Sequence, residues 1–142
     1  MFERYTSQAR TTIAHTHEEA RLFNHRVVEP YHLFAALAGT CGETGLVGLV
    51  FQKYGLTQDE IRRRTENYVG RGKGVPGEIS FSSDMARTLD FALRECLRLG
   101  AQYIGVEHLL LGLSITGNSL VSEILEEFVG DYDVVRSALG FS

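Results

Sequence analysis

Apolar residues recur every three or four positions along most of this chain, a spacing that lays a stripe on one face of an α-helix. Over residues 6–23 the stripe is Ala9, Ile13, Thr16 and Ala20, with Thr6 or Ser7 placed as N-cap and a stop near Asn24. Pro30 suits the first turn of a short second helix through Leu37, because its missing N–H is not needed there. Glycines at 39, 42 and 45 are expected to break that helix. Leu46, Leu49, Val50 and Tyr54 make the next stripe, which Gly55 ends; Thr57 then caps a fourth helix carrying Ile61, Thr65 and Val69. Residues 70–80, "GRGKGVPGEIS", suit neither helix nor central strand and read as a linker.

The pattern then restarts. Ser82 or Ser83 caps a helix striped by Met85, Leu89, Ala92, Leu93 and Cys96, and Gly100 marks its end. Helices follow over about 106–113, about 119–128 and Asp131 to Leu139. One offset of 76 residues pairs Tyr5 with Phe81, Ile13 with Leu89, Glu19 with Glu95, His32 with His108 and Leu37 with Leu113. Apolar positions recur on apolar positions although few residues are identical, which is a structural repeat by pattern. The expected fold is all-α: two pseudo-symmetric four-helix repeats in one compact eight-helix domain. Repeat one spans about 1–69, the linker 70–80 and repeat two about 81–142.

Composition narrows the function classes. The 142 residues are 44% apolar and 23% charged, as in a globular domain, and the apolar runs are too short to cross a bilayer. Met1 leads straight into "FERYTSQAR" without a charged and apolar leader, so a cytoplasmic location is expected. A net charge of −4 argues against a nucleic-acid binder. The basic run "RRR" at 62–64 reads as a solvated face among Asp59, Glu60 and Glu66, and Cys41 and Cys96 read as small core residues.

Catalytic groupings are hard to find. His15 and His17 lie about 200° apart around a helix axis and cannot converge on one metal. His32 and His108 start equivalent helices, which points to a structural duty such as hydrogen-bonding a helix end. Ser82 and Ser83 have no evident His–Asp pair to activate either one. The expectation is no enzyme, no metal and no cofactor.

The opening "MFERYTSQAR", then "EEARLFNH", and above all "LREC…LGAQYIGVEHLLLGL" resemble the Clp N-terminal repeat domain found at the front of ClpC-type protein unfoldases. The resemblance covers essentially the whole chain and is most specific at 103–113. It implies two four-helix lobes that dock adaptors and deliver substrate proteins to an ATP-driven ring feeding a serine peptidase. No G-x-x-x-x-G-K-[ST] stretch occurs, and "GRGKG" at 70–74 has the wrong spacing to cradle phosphates.

ClpC-type N domains bind phosphoarginine-tagged proteins at two pockets, one per repeat. A helix N-terminus offers free N–H groups to a phosphate, and a carboxylate beside it can hold the guanidinium in bidentate fashion. Carried onto this chain, the resemblance places a competent pocket at Ser82, Ser83 and Glu107. It places an altered one at Thr6, Ser7 and Tyr31, where Glu29 would have to substitute from another direction. In actinobacterial relatives the corresponding region docks cyclic-peptide antibiotics, which marks Phe2, Tyr5, Arg10 and Phe81 as an aromatic patch. The first repeat has drifted further from the family pattern, with "LFAAL" and "AGTCGETG". That drift suggests a paralogue, and three readings follow: an N domain cut from a full unfoldase, a stand-alone Clp-repeat protein that modulates one, or a decoy that sequesters antibiotics or tagged proteins; the stand-alone form, monomeric in isolation, is the expectation.

Overall fold

The computed structural model describes residues 4–42, 45–73, 77–116 and 119–141. Among these residues the chain forms eight helices and two two-residue strands. Helix α1 (Ser7–Leu22) starts at Thr6, whose Oγ1 accepts the Ala9 N–H at 3.1 Å, and Asn24, in the left-handed region at φ 58°, turns the chain away from it. Strand β1 (Val27–Val28) leads into α2 (Pro30–Cys41), followed by α3 (Gly45–Tyr54) and α4 (Gln58–Val69), which Thr57 caps. Strand β2 (Ser80–Phe81) then leads into α5 (Ser83–Arg98), α6 (Val106–Thr116), α7 (Ser119–Phe128) and α8 (Tyr132–Ala138).

Three local expectations need correction. Helix α2 continues past Leu37 to Cys41, so Gly39 lies inside it. The Gln58 side chain fills the space that a Cβ on Gly39 would take, and its Nε2 donates to the Ala35 carbonyl at 3.1 Å. In α3 the buried face is Val47, Val50 and Phe51, while Leu46 and Leu49 are 47% and 62% exposed. That segment is apolar almost all round, so its periodicity could not choose a face; packing against α2 and α6 did. Of the three arginines at 62–64, Arg63 alone is solvated. Arg62 clamps the buried Glu19 carboxylate with bonds of 3.0 and 2.6 Å, and Arg64 links Glu60 to Glu127 of α7.

Each repeat is built on an antiparallel helix pair, α1 with α2 and α5 with α6. Thr12 and Thr40 share a hydrogen bond of 2.8 Å across the first pair, and Thr88 and Thr116 one of 3.0 Å across the second. The offset of 76 maps one bond onto the other. One continuous core joins the two halves, with α2 against α6 and α7 and with α4 against α7. Cys41 and Cys96 are free, buried thiols within it.

Two short parallel pairings cross between the halves. Val27 and Val28 pair with Ser80 and Phe81, and Tyr5 bridges to Ile104. The bonds Thr6 N–H to Ile104 O (2.9 Å) and Ser82 N–H to Val28 O (3.0 Å) are again related by the repeat offset.

Gly112 shows how closely the second pair packs. A Cβ built there would stand 2.6 Å from the Thr88 carbonyl oxygen and 3.1 Å from the Ala92 nitrogen, both backbone atoms that cannot swing aside. Gly112→Ala should therefore destabilise the domain by about 1–3 kcal/mol through overpacking. Urea unfolding measures this directly, and a midpoint equal to or above wild type would contradict the close approach.

Candidate functional site

The cross-lobe pairings decide which helix N-termini are neighbours. Because Tyr5 and Ile104 run parallel in one bridge, α1 and α6 leave it side by side in the same direction. Glu107, in the first turn of α6, therefore shares its seat with Thr6 and Ser7 of the other repeat. By the same rule β1 and β2 bring Ser82 and Ser83 of α5 beside Glu29 and Tyr31 at the start of α2.

The expected grouping of Ser82, Ser83 and Glu107 is thus not formed. Helices α5 and α6 are antiparallel, with Gly112 against Ala92 and Thr116 against Thr88, so Glu107 lies toward the C-terminal end of α5. At 1.5 Å per residue that is about 20 Å along the axis from Ser82. The expected grouping of Thr6, Ser7 and Tyr31 fails for the symmetric reason. Partners were exchanged between repeats, which an offset of 76 cannot reveal, because it equates positions without saying which are adjacent.

At the α1/α6 seat Thr6 Oγ1 caps α1, while Ser7 Oγ accepts from the Arg10 guanidinium at 3.3 Å. Glu107 is 27% exposed at its side chain and folds back over Gly105, where any Cβ would collide with its Oε1. Its carboxylate lies 3.5 Å from His108 Nδ1. That nitrogen accepts the Gly105 N–H at 2.9 Å, so the ring in this arrangement is neutral. Burial holds the His108 pKa below its ordinary value against the opposing pull of Glu107 and Glu95. Among the described residues Glu107 makes no ion pair with Lys or Arg. The seat thus combines a helix N-terminus, a guanidinium and an uncompensated carboxylate.

The α5/α2 seat carries different chemistry. Ser82 Oγ accepts the Met85 N–H at 2.9 Å, and Ser83 is exposed. Tyr31 is buried, its ring 4.7 Å from His32 and 6.5 Å from His25. Burial, with smaller contributions from Glu29 and Tyr68, pushes its phenol up to about 12, so it supplies no negative charge. The repeat offset aligns Glu29 with Gly105. In one copy the carboxylate comes from residue 107 and fills the space over a glycine; in the other it sits on residue 29 and an aromatic ring takes position 31. That exchange was visible in the sequence.

Between the seats lies a groove of about 330 Å³ lined by Arg4, Tyr5, Phe81, Leu89, Leu93 and Ile104, among others. Tyr5 and Phe81 of the expected aromatic patch do share this groove. Arg10 is exposed on α1, bonded to Ser7, and is not part of its lining; Phe2 lies outside the described residues. Sequence reasoning missed Leu89 and Leu93, which share the Met85–Cys96 stripe with core positions. Their role here follows only from where Tyr5 lands. His15 pairs with Glu18 at 3.6 Å and His17 rests 5.4 Å from Phe81, on separate surroundings. Among the described residues no group of three or more His, Cys, Asp or Glu could hold a metal, and no single helix is long and apolar enough to cross a membrane.

Residues 4–128 match the family model of the Clp repeat (R) N-terminal domain. Over 139 residues the chain is 38% identical to the "ATP-dependent Clp protease ATP-binding subunit ClpA homolog" of Guillardia theta, and 37% identical to "Chaperone protein ClpC1, chloroplastic" of Oryza sativa subsp. japonica. Each match covers 96% of this chain but only 17% and 15% of those relatives, so the chain spans about a sixth of their length. The fold is similar to the N-terminal domain of the ClpD chaperone from Arabidopsis thaliana, with a TM-score of 0.76 at 21% identity, covering 98% of this chain and 96% of that one. It is likewise similar to the N-domain of ClpV from Vibrio cholerae, with a TM-score of 0.77 at 15% identity, covering 99% and 88%. With the repeat architecture, the "YIGVEHLLLGL" segment and these matches in agreement, the chain belongs to the Clp repeat N-terminal domain family.

Proposed function

We propose that this chain is a non-catalytic recognition module of a Clp protein-degradation system, and that its α1/α6 seat receives phosphoarginine-tagged substrate proteins. The observation that carries the reading is the parallel Tyr5–Ile104 bridge, which sets the first turn of α1, with Thr6, Ser7 and Arg10, and the first turn of α6, with Glu107, at the same end of the domain. A phosphate fits the amides of the first turn of α1 and the Arg10 charge, and a guanidinium fits the unpaired Glu107 carboxylate. The division into repeat one (about 1–69), linker (70–80) and repeat two (about 81–142), a cytoplasmic location and a monomeric state in isolation belong to the same proposal, as do protein adaptors as partners.

Calorimetric titration with phosphoarginine tests it. Wild type should saturate near one equivalent, and Glu107→Ala should bind at least about tenfold more weakly, the loss of one charge-assisted bidentate contact. Its thermal midpoint should stay near that of wild type. Ser83→Ala, on the other seat, should bind as wild type does. Equal affinity in wild type and Glu107→Ala would remove the reading.

The groove supports a second reading, capture of cyclic-peptide antibiotics as a decoy. Its mostly apolar lining, which includes Tyr5, Phe81, Leu89 and Leu93, suits an apolar macrocycle. No heat with phosphoarginine, together with saturable binding of a cyclic peptide that Leu93→Arg abolishes, would favour it.

A further inference from the structure

Behind the α5/α2 seat, two histidines of the first repeat form a chain of hydrogen bonds whose protons have a single consistent placement. The Glu29 N–H donates to His32 Nδ1 at 2.9 Å, so a neutral His32 carries its proton on Nε2. That Nε2 faces His25 Nδ1 at 2.9 Å and donates to it. His25 in turn carries its proton on Nε2, which donates to the Gly70 carbonyl at 2.8 Å. The relay runs from the start of α2, through the loop after α1, to the segment that leaves α4.

That segment is docked by the same loop. The Gly72 N–H donates to the Phe23 carbonyl at 2.7 Å, and the Arg71 guanidinium donates to the Leu22 carbonyl at 3.0 Å and lies 5.6 Å from the Phe23 ring centre. The Phe23 ring stacks on His25 at 5.7 Å. His32 is 1% exposed. The second repeat has no such relay: 76 residues after His25 the chain carries Ala101, and His108 Nδ1 simply accepts its own helix-start N–H.

One added proton breaks this arrangement wherever it goes. A doubly protonated His25 turns its Nδ1–H against the His32 Nε2–H. If His32 changes tautomer to accept that bond, its Nδ1–H faces the Glu29 N–H instead. Two donors confront each other in either case, and with His32 buried and His25 half-buried that contact is lost. Burial, reinforced by the neighbouring His25, pushes the His32 pKa down to about 3, so His32 does not relieve the conflict by taking the charge itself. Among the described residues, the titratable and charged groups placed near the pair are Glu29 and Tyr31 from α2, Tyr68 of α4, which acts on Tyr31, and Arg71 across the Phe23 ring, itself paired with Glu66. None of them is bonded to either imidazole in a way that would accept the extra proton.

We propose that the His25–His32 relay is a proton-sensitive latch, present in the first repeat alone, that fastens the segment at Gly70–Gly72 and the start of α2 to each other and releases them on mild acidification. It stands independently of any ligand. Because Glu29 and Tyr31 flank the relay, its release reaches the α5/α2 seat and leaves the α1/α6 seat fixed.

Nuclear magnetic resonance of the whole chain tests this. At pH 7.5 long-range ring spectra should show both His25 and His32 as Nε2–H tautomers. On acidification to pH 5.5 the exchange protection of the Glu29 and Gly72 amides, corrected for intrinsic rates, should fall at least tenfold while that of Leu110 is kept. His25→Phe preserves the stacking on Phe23 and should show low Gly72 protection at both pH values. An Nδ1–H tautomer on either ring in wild type, unchanged Glu29 and Gly72 protection at pH 5.5, or undiminished pH dependence in His25→Phe would each overturn the latch.

Discussion

Arg62→Ala should destabilise the domain by about 2–4 kcal/mol, because it strands a carboxylate that folding has already taken out of water. Glu19 is 5% exposed and receives both of its strong bonds from this one guanidinium, at 3.0 and 2.6 Å. The figure sits below that for a fully buried pair because the Arg62 side chain is 34% exposed, so water partly solvates the charge when the pair is broken. In the second repeat the offset falls by two, to 74, at the shorter turn before Leu120, so Arg136 corresponds to Arg62, and its substitution should cost less. There Glu95 is held by the Tyr132 hydroxyl and approached by Arg98 at 3.7 Å, while Arg136 Nε is buried with no partner among the described residues. Urea unfolding of Arg62→Ala and Arg136→Ala side by side checks both statements. Equal midpoints would mean that the two buried glutamates are held equivalently, contrary to the geometry.

Acid should weaken the fold well before the carboxylates titrate. His32 is buried neutral and its pKa falls to about 3, chiefly through burial and secondarily through His25. Unfolded, a histidine titrates near 6.5, so below that pH the unfolded chain binds a proton that the folded one refuses. The stabilisation is complete above about pH 6.5 and declines as pH falls, by about 1.4 kcal/mol per pH unit, toward about 3. Between pH 6.5 and 5 this single group should cost about 2 kcal/mol, and His108, also depressed by burial, adds in the same direction. Glu60 and Glu127, whose pKa values are lowered by bonds from Arg64, act with a similar sign only below about pH 4.5, outside that window. Unfolding free energies measured from pH 7.5 to 5 should therefore slope downward in wild type. The slope should flatten in His32→Gln, whatever that variant's absolute stability. A parallel slope would show that His32 does not carry the effect.

The helices were largely legible because their causes are local. Caps at Thr6, Thr57, Ser82 and Asp131 accept N–H groups three residues on, and Gly55 and Gly100 take the positive φ angles that close α3 and α5. Where the local signal was ambiguous the reading failed. Gly39 is a contact glycine and not a breaker, and of the expected α3 stripe Val50 and Tyr54 pack on the core while Leu46 and Leu49 are exposed, because nearly every face of α3 is apolar. His32 and His108 were assigned a structural duty, and their Nδ1 atoms do accept helix-start N–H groups.

The sequence by itself determined the eight helices, the repeat offset of 76 and the kinds of residue gathered at each helix start, because these depend on neighbours three or four positions away. Only the tertiary structure decided which helix starts meet. Antiparallel packing sends the two ends of each helix pair apart, and two short parallel bridges then join the start of α1 to that of α6 and the start of α5 to that of α2. Glu107 thereby stands with Thr6 and Ser7, and Glu29 with Ser82 and Ser83. Those pairings are set by main-chain bonds such as Thr6 to Ile104 and Ser82 to Val28, and a backbone N–H or C=O carries no mark of its partner in the residue types.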